Sequence, residues 1–344
     1  MSGQRKGQDA GAEGDREIQG QGAPDSPTEL PSPALRAVIK RARVEFRNDH
    51  LTDLAAGLTY YGILAVVPAL VVLVSLLGLL GRDTTNQVID QVQAVAPGSS
   101  ADFVRGLITQ AQSNKGSAGL GAVIGILVSL WSASGYVAAF MRASNVVYDI
   151  GEGRPIWKTL PIRLGVTVLA VLVMVLSVVI VVVSGPVAEQ VGNVVGAGDA
   201  AVLVWNIVKW PVLLVLVSVL LAVLFWASPN AKQPGIKWVS PGGVIAVLIW
   251  VGISALFALY VTHFSSYNKT YGSMAGVVIF LVWLWLTNVA ILLGAEVNAE
   301  LDHTIAIADG LPPEVEPFAV PRDTRKLSEQ ERRDVDEAIA QRGT

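Results

Sequence analysis

The chain contains no cysteine, which excludes disulfides, thiolate metal sites and cysteine nucleophiles together. Histidine is nearly as scarce: His50, His263 and His303 are far apart in sequence, and no H-x-E or H-x-x-x-H spacing offers a metal ligand pair. A G-x-S-x-G elbow and a phosphate-binding P-loop are both missing. Charge is sparse at 15% of residues, and the formal net charge of -3 leaves no basic excess for nucleic acid. What the chain does have is hydrocarbon: 52% of its 344 residues are hydrophobic and the mean hydropathy is +0.52, outside the range of soluble domains.

That apolar content is organised in six runs, at about 54–80, 117–141, 161–184, 201–227, 241–262 and 273–297, each long enough to cross roughly 30 Å of hydrocarbon as a helix. The expected fold class is therefore all-α, a polytopic membrane bundle of six transmembrane helices. Residues 1–33, rich in Gly, Gln and Pro, read as a disordered tail, and residues 34–50 as a basic juxtamembrane segment able to form a short amphipathic helix. The membrane domain should occupy 51–303, with a charged tail over 304–344. Within the first connection, "TTNQVIDQVQAVAP" and "SADFVRGLITQAQ" carry apolar residues at three- and four-residue intervals, which predicts short amphipathic helices on the outer surface. In "SEQERRDVDEAIAQ", Ser328 and Glu331 have capping-box spacing.

Lys and Arg concentrate before the first run (Arg36, Lys40, Arg41, Arg43, Arg47), between the second and third (Arg142, Arg154, Lys158, Arg163), and in "SPNAKQPGIKWVS". The connection at 185–200 has none, and "SSYNKTYGS" has Lys269 alone. By the positive-inside rule both termini are cytoplasmic.

Three blocks carry a resemblance: "LAAGLTYYGILAVVPAL", "LWSASGYVAAFMRASNVVYDIGEGRPIWKTLP" and "SYNKTYGSMAGVVIFLVWLWLTNVAILLGAEVNAEL". In this order they resemble the YihY / virulence factor BrkB family of bacterial multi-pass inner-membrane proteins, over about residues 50–303. The resemblance implies a bacterial plasma-membrane protein with a six-helix core, and supplies no mechanism. Some members carry an older name, ribonuclease BN. The three histidines are too scattered, and on opposite sides in the expected topology, to build a metal-dependent nuclease site, so the chain is read as non-enzymic, with no cofactor, no metal and no nucleic-acid partner.

Polar groups inside apolar runs are the sharper clue to function, because each costs a few kcal/mol in hydrocarbon unless paired or facing water. Asn288 and Glu296 lie eight residues apart on roughly one side of the last run, and "GAEVNAEL" brings Gly294, Asn298 and Glu300 to its inner end; Glu296 is either a cytoplasmic-end carboxylate that snorkels or pairs with an inner arginine, or a functional carboxylate facing the bundle. Ser132, Ser134 and Asn145 descend the second run toward a polar mouth. Tyr60 and Tyr61 precede Pro68, which together with Pro211 in the fourth run should kink its helix. The stripe Ser117, Gly121, Gly125, Ser129, Ala133 reads as close helix packing. Lys209, beside Trp205 and Trp210, reads as an outer-interface cation. In the short connection before the last run, Tyr267, Asn268, Lys269 and Tyr271 form either a hydrogen-bonded turn or a polar plug facing a cavity, where Lys269 would meet an anionic headgroup. The substrate-binding candidates are thus Tyr60, Tyr61, Ser132, Ser134, Asn145, Tyr267, Asn268, Lys269, Tyr271, Asn288 and Glu296.

Together these features point to transporter- or flippase-like handling of a lipid or an amphipathic, anionic solute. The alternatives are a non-transporting membrane scaffold or envelope-integrity factor and, third, a membrane-bound ribonuclease. Membrane lipids are the expected partners, and self-association is left open.

Overall fold

A computed structural model describes residues 29–79, 120–182, 199–233, 236–263 and 274–341. Among them the chain is helical, in the order α1 (Ser32–Asn48), α2 (Leu51–Leu79), α3 (Leu120–Val147), α4 (Ile156–Val182), α5 (Asp199–Ala227), α6 (Ile236–His263), α7 (Met274–Ala308) and α8 (Glu329–Ala340). The one extended pairing among the described residues is an isolated antiparallel bridge between Ala231 and Pro321. Four helical stretches are long and apolar enough to cross a membrane: Ile156–Val181, Leu203–Ala227, Pro241–Tyr260 and Val277–Ala308. Helices α2 and α3, of 29 and 28 residues, have the length for it as well. The connection carrying the expected surface helices lies outside the described residues.

The ends of these helices follow local chemistry. Helix α3 stops after Val147 where Asp149 takes φ 52 and the Ile150 N–H donates to the Asn145 carbonyl at 3.0 Å, a left-handed cap. Helix α7 stops in the same way at Gly310, φ 100, with Leu311 N–H donating to the Ala306 carbonyl at 2.9 Å. Helix α8 has the capping box read from the sequence, the Ser328 side chain accepting from the Glu331 N–H and the Glu331 side chain accepting from the Ser328 N–H. The prolines do not end their helices: α5 runs through Pro211, and the range of α2 includes position 68.

The chain divides into two compact units. One comprises residues 1–61, 136–163 and 221–344, and the other 62–135 and 164–220. In the first unit, α1 turns Ala34, Ala37, Val38 and Ala42 inward, the three- and four-residue spacing of a one-sided helix. Ala34 and Val38 join Leu30, Leu301, Ile305 and Ile307 in one buried cluster, so the basic juxtamembrane segment is seated on the end of α7. Its Leu35 and Ile39 remain exposed. Helices α6 and α7 cross closely, since a Cβ on Gly294 would fall 2.6 Å from both the Ala246 Cβ and the Gly242 carbonyl oxygen. In the second unit, Val166, Val171, Val173 and Ile180 of α4 are buried.

Candidate functional site

Helix α7 is apolar for most of its length, yet its polar residues are inside the first unit. Asn288 is 1% exposed. Its Oδ1 accepts from the Tyr136 hydroxyl of α3 at 2.7 Å, and its Nδ2 donates to Thr59 Oγ1 of α2 at 3.0 Å. Thr59 in turn donates to the Ala55 carbonyl at 2.7 Å, so one amide ties three helices within the apolar interior. Two turns further along α7 lies Glu296, also 1% exposed, whose Oε2 has no hydrogen-bond partner. A carboxylate oxygen buried without a partner is costly, which sets this residue apart from the satisfied amide above it. Asn298 Oδ1 accepts the Gly242 N–H of α6 at 2.9 Å, at the place where the two helices approach most closely.

Beyond Glu296 the polar groups become ionic. Glu300 is held by α1: Arg41 Nε donates to its Oε2 at 2.5 Å, while Arg41 Nη2 reaches Thr304 Oγ1 at 2.6 Å. His303 Nδ1 lies 3.7 Å from the same carboxylate oxygen, its ring stacks on Phe318 at 4.6 Å between centroids, and its Nε2 is buried without a partner. Further acids converge on this end of the unit. Burial, and then the carboxylates of Glu45, Glu316 and Glu300, push the Asp49 carboxyl up to about 7.

The connections next to this row are bound together by a second network. Arg154, 3% exposed, donates to the carbonyls of Ala227, Ser228 and Pro229 and to both Glu152 carboxylate oxygens. Asn230 receives and gives on every side: its N–H donates to Asn145 Oδ1 at 2.8 Å, its Nδ2 to the Gly151 and Asp323 carbonyls, and its Oδ1 accepts the Asp323 N–H. Gly153 must be glycine here, since a Cβ would meet the Asp323 carbonyl. Hydrogen bonds from Arg325 and Lys158 hold the Asp323 carboxyl well below the usual carboxylate range. Residues 310–341 are thereby fastened to the α3–α4 and α5–α6 connections.

The sequence profile of the virulence factor BrkB family matches residues 42–317, four-fifths of the chain and the whole of this polar row. The chain belongs to that family. A Bacillus subtilis relative named only as the ribonuclease-like protein YfkH is 29% identical over 75% of this chain and 92% of its own length. The UPF0761 membrane protein of Rhodospirillum centenum is 30% identical over 78% of this chain, which spans 58% of that relative's length. A UPF0761 membrane protein of Pseudoalteromonas atlantica is 26% identical over 80% of this chain and 90% of its own length. No solved structure matches. The chain is thus a multi-helix membrane protein of the BrkB family.

The residues singled out in the sequence separate into groups. Asn288 and Glu296 are on the buried row. Asn145 is buried in the second network, donating to Glu152 Oε2 at 3.0 Å. Tyr61 packs edge-on against Tyr60 at 5.4 Å and lies under the Arg142 guanidinium, while Tyr60 is exposed. In the second unit Ser134 is buried and donates to the Trp131 carbonyl at 2.6 Å, Ser132 is partly buried, and Lys209 donates to Asn206 Oδ1 above the Trp210 ring. Tyr267, Asn268, Lys269 and Tyr271 lie outside the described residues, as does Ser117 of the small-residue stripe. Residues that sequence reading did not mark as candidates include Thr59, Arg154, Asn230 and Asp323. Their signal is that polar side chains recur at the ends of apolar runs, where several partners are equally available.

Proposed function

We propose that this protein is a six-span plasma-membrane transporter of flippase type, with both termini cytoplasmic, that moves a lipid or another amphipathic solute. The observation that carries the reading is Glu296: a carboxylate 1% exposed in an apolar helix, with one oxygen unpartnered, two turns from the buried Asn288–Tyr136–Thr59 junction. Such groups are costly inside a membrane, and a helix built only for packing would do without one. The acids near it, Glu45, Asp49 and Glu300 among them, disfavour a free small anion at that end and favour an amphipath whose tail stays in the bilayer. Helix α1 supports the cytoplasmic placement, because its exposed Leu35 and Ile39 adjoin Arg36, Arg43 and Arg47, an apolar edge beside basic groups suited to an anionic leaflet.

The second reading, a membrane scaffold, is supported by the network around Arg154 and Asn230, whose donors are directed to backbone carbonyls and acidic side chains as in a static joint. A nuclease is disfavoured: among the described residues no group of three or more His, Asp or Glu is placed to hold a metal ion, and the name of the Bacillus relative adds no constellation to this chain.

The test is translocation of fluorescent lipids and uptake of organic anions in vesicles containing the purified protein. Lys269→Gln and Glu296→Gln should each impair movement while the protein stays folded. If both variants keep full activity, or the wild type moves nothing across the panel, the transport reading fails and the scaffold reading stands.

A further inference from the structure

Three ionisable side chains follow one another along a single side of α7: Glu296, Glu300 and His303, at intervals of four and three residues. All three are buried. The middle one is fully engaged, its carboxylate bonded to Arg41 and flanked by His303 Nδ1. The outer two each carry an orphaned atom, Glu296 Oε2 and His303 Nε2. Arg41 is committed to Glu300 and Thr304, so the row has two acids, one imidazole and one arginine spent on the acid between them.

Acids on three elements raise the cost of a charge on Glu296, while the nearby basic groups Arg41 and His303 are turned to Glu300. From α1 and its C-terminal cap come Glu45 and Asp49, from the turn after α3 comes Asp149, and from α7 itself Glu300. A negative charge on Glu296 would be buried, partly unbonded and repelled by these carboxylates. A proton on it removes the first and third of these costs at once, and turns the orphaned oxygen into a donor or a neutral acceptor.

We propose that Glu296 is a proton-binding site, exchanging its proton with the nearby end of α7 along the row Glu300–His303. A proton passes to Glu296 from the acidic groups at that end and returns to them, with no other bond made or broken. His303 Nδ1 lies 3.7 Å from the Glu300 carboxylate, and Glu296 is one turn from Glu300 on the same side of the helix, a spacing that bridging water can span. The proton site stands on the geometry of α7. Its role as the coupling ion, by which a proton gradient drives the solute, rests on the transport reading above.

The test reads protonation without reference to transport. Infrared spectra of the full-length protein in lipid nanodiscs, recorded from about pH 5 to about pH 9, report carboxylic-acid carbonyl stretching directly. The expected result is a titrating band that Glu296→Gln abolishes and Glu296→Asp retains at a shifted frequency. Transfer to heavy water should shift the wild-type band quickly, and His303→Phe, which keeps a ring against Phe318, should slow that shift several-fold without removing the band. A spectrum unchanged by Glu296→Gln, or a band that does not titrate, overturns the proton site. Exchange in His303→Phe as fast as in the wild type overturns the row as its route. Should the infrared result be as expected while no solute moves in vesicles, the proton site stands and the transport reading fails.

Discussion

Arg41 and Glu300 show how much rests on single side chains. Removing one member of a buried ion pair strands the other, at a cost of about 3–5 kcal/mol, whereas removing both spares that penalty. With Arg41 a little more exposed than Glu300, Arg41→Ala is expected to cost about 3 kcal/mol, and Arg41→Ala combined with Glu300→Gln distinctly less, as measured by chemical unfolding in detergent. An additive double variant would show that the pair does not act as one. At Asn288, replacement by Leu leaves the Tyr136 hydroxyl without its acceptor and Thr59 without a donor, and should cost about 1–2 kcal/mol; Tyr136→Phe, which strands one group only, should cost less. Asp49 supplies a pH dependence. Its folded pKa of about 7 lies above the ordinary carboxylate value near 4, so the folded protein binds the extra proton between those limits. Its contribution is therefore favourable at low pH and is lost as pH rises through about 7. Thermal midpoints of the wild type should fall between about pH 4 and about pH 7, and Asp49→Asn should flatten that fall; equal slopes would contradict the assignment.

At the scale of helices, the sequence was readable wherever one cause dominated. Apolar runs located α2 to α7 because span length leaves little choice, and Ser328 with Glu331 located the start of α8 because the capping box is local. The last helix was underestimated. Its apolar run ends near residue 297, but α7 continues to Ala308 because Glu300, His303 and Thr304 find partners on α1 and Phe318, which no local pattern announces. The sign that marks the true end, Gly310 followed by Pro312 and Pro313, was in the chain all along. The tail after it was equally hard to read, since Asn230, Gly153 and Asp323 are distant in sequence and meet only in the fold. Of the candidate site, the eight-residue spacing of Asn288 and Glu296 was legible; that one would be satisfied and the other left with an orphaned oxygen was not, because partners come from α2 and α3. The α6–α7 crossing gives its own prediction. Gly294→Val would force α6 away and break the Gly242–Asn298 bond, lowering stability by about 1–3 kcal/mol, whereas Gly252→Ala, with open space around it, should be silent in the same unfolding assay.

For the molecule as a whole, the absence of cysteine becomes an advantage, because every introduced thiol is unique. Cysteines at Ser26 and Ser328 should resist an impermeant reagent in intact cells and react after the membrane is opened; labelling of either in intact cells would overturn the proposed orientation. Both tails on the cytoplasmic side would place the acidic end of α7 there as well, where a proton gradient across the membrane can act on Glu296. The most direct measurement is therefore lipid translocation in sealed vesicles of one protein orientation, with and without an imposed pH gradient. The gradient should change the wild-type rate and leave Glu296→Gln slow and indifferent to it. A wild-type rate independent of the gradient, or a Glu296→Gln rate that follows it as the wild type does, would contradict the account.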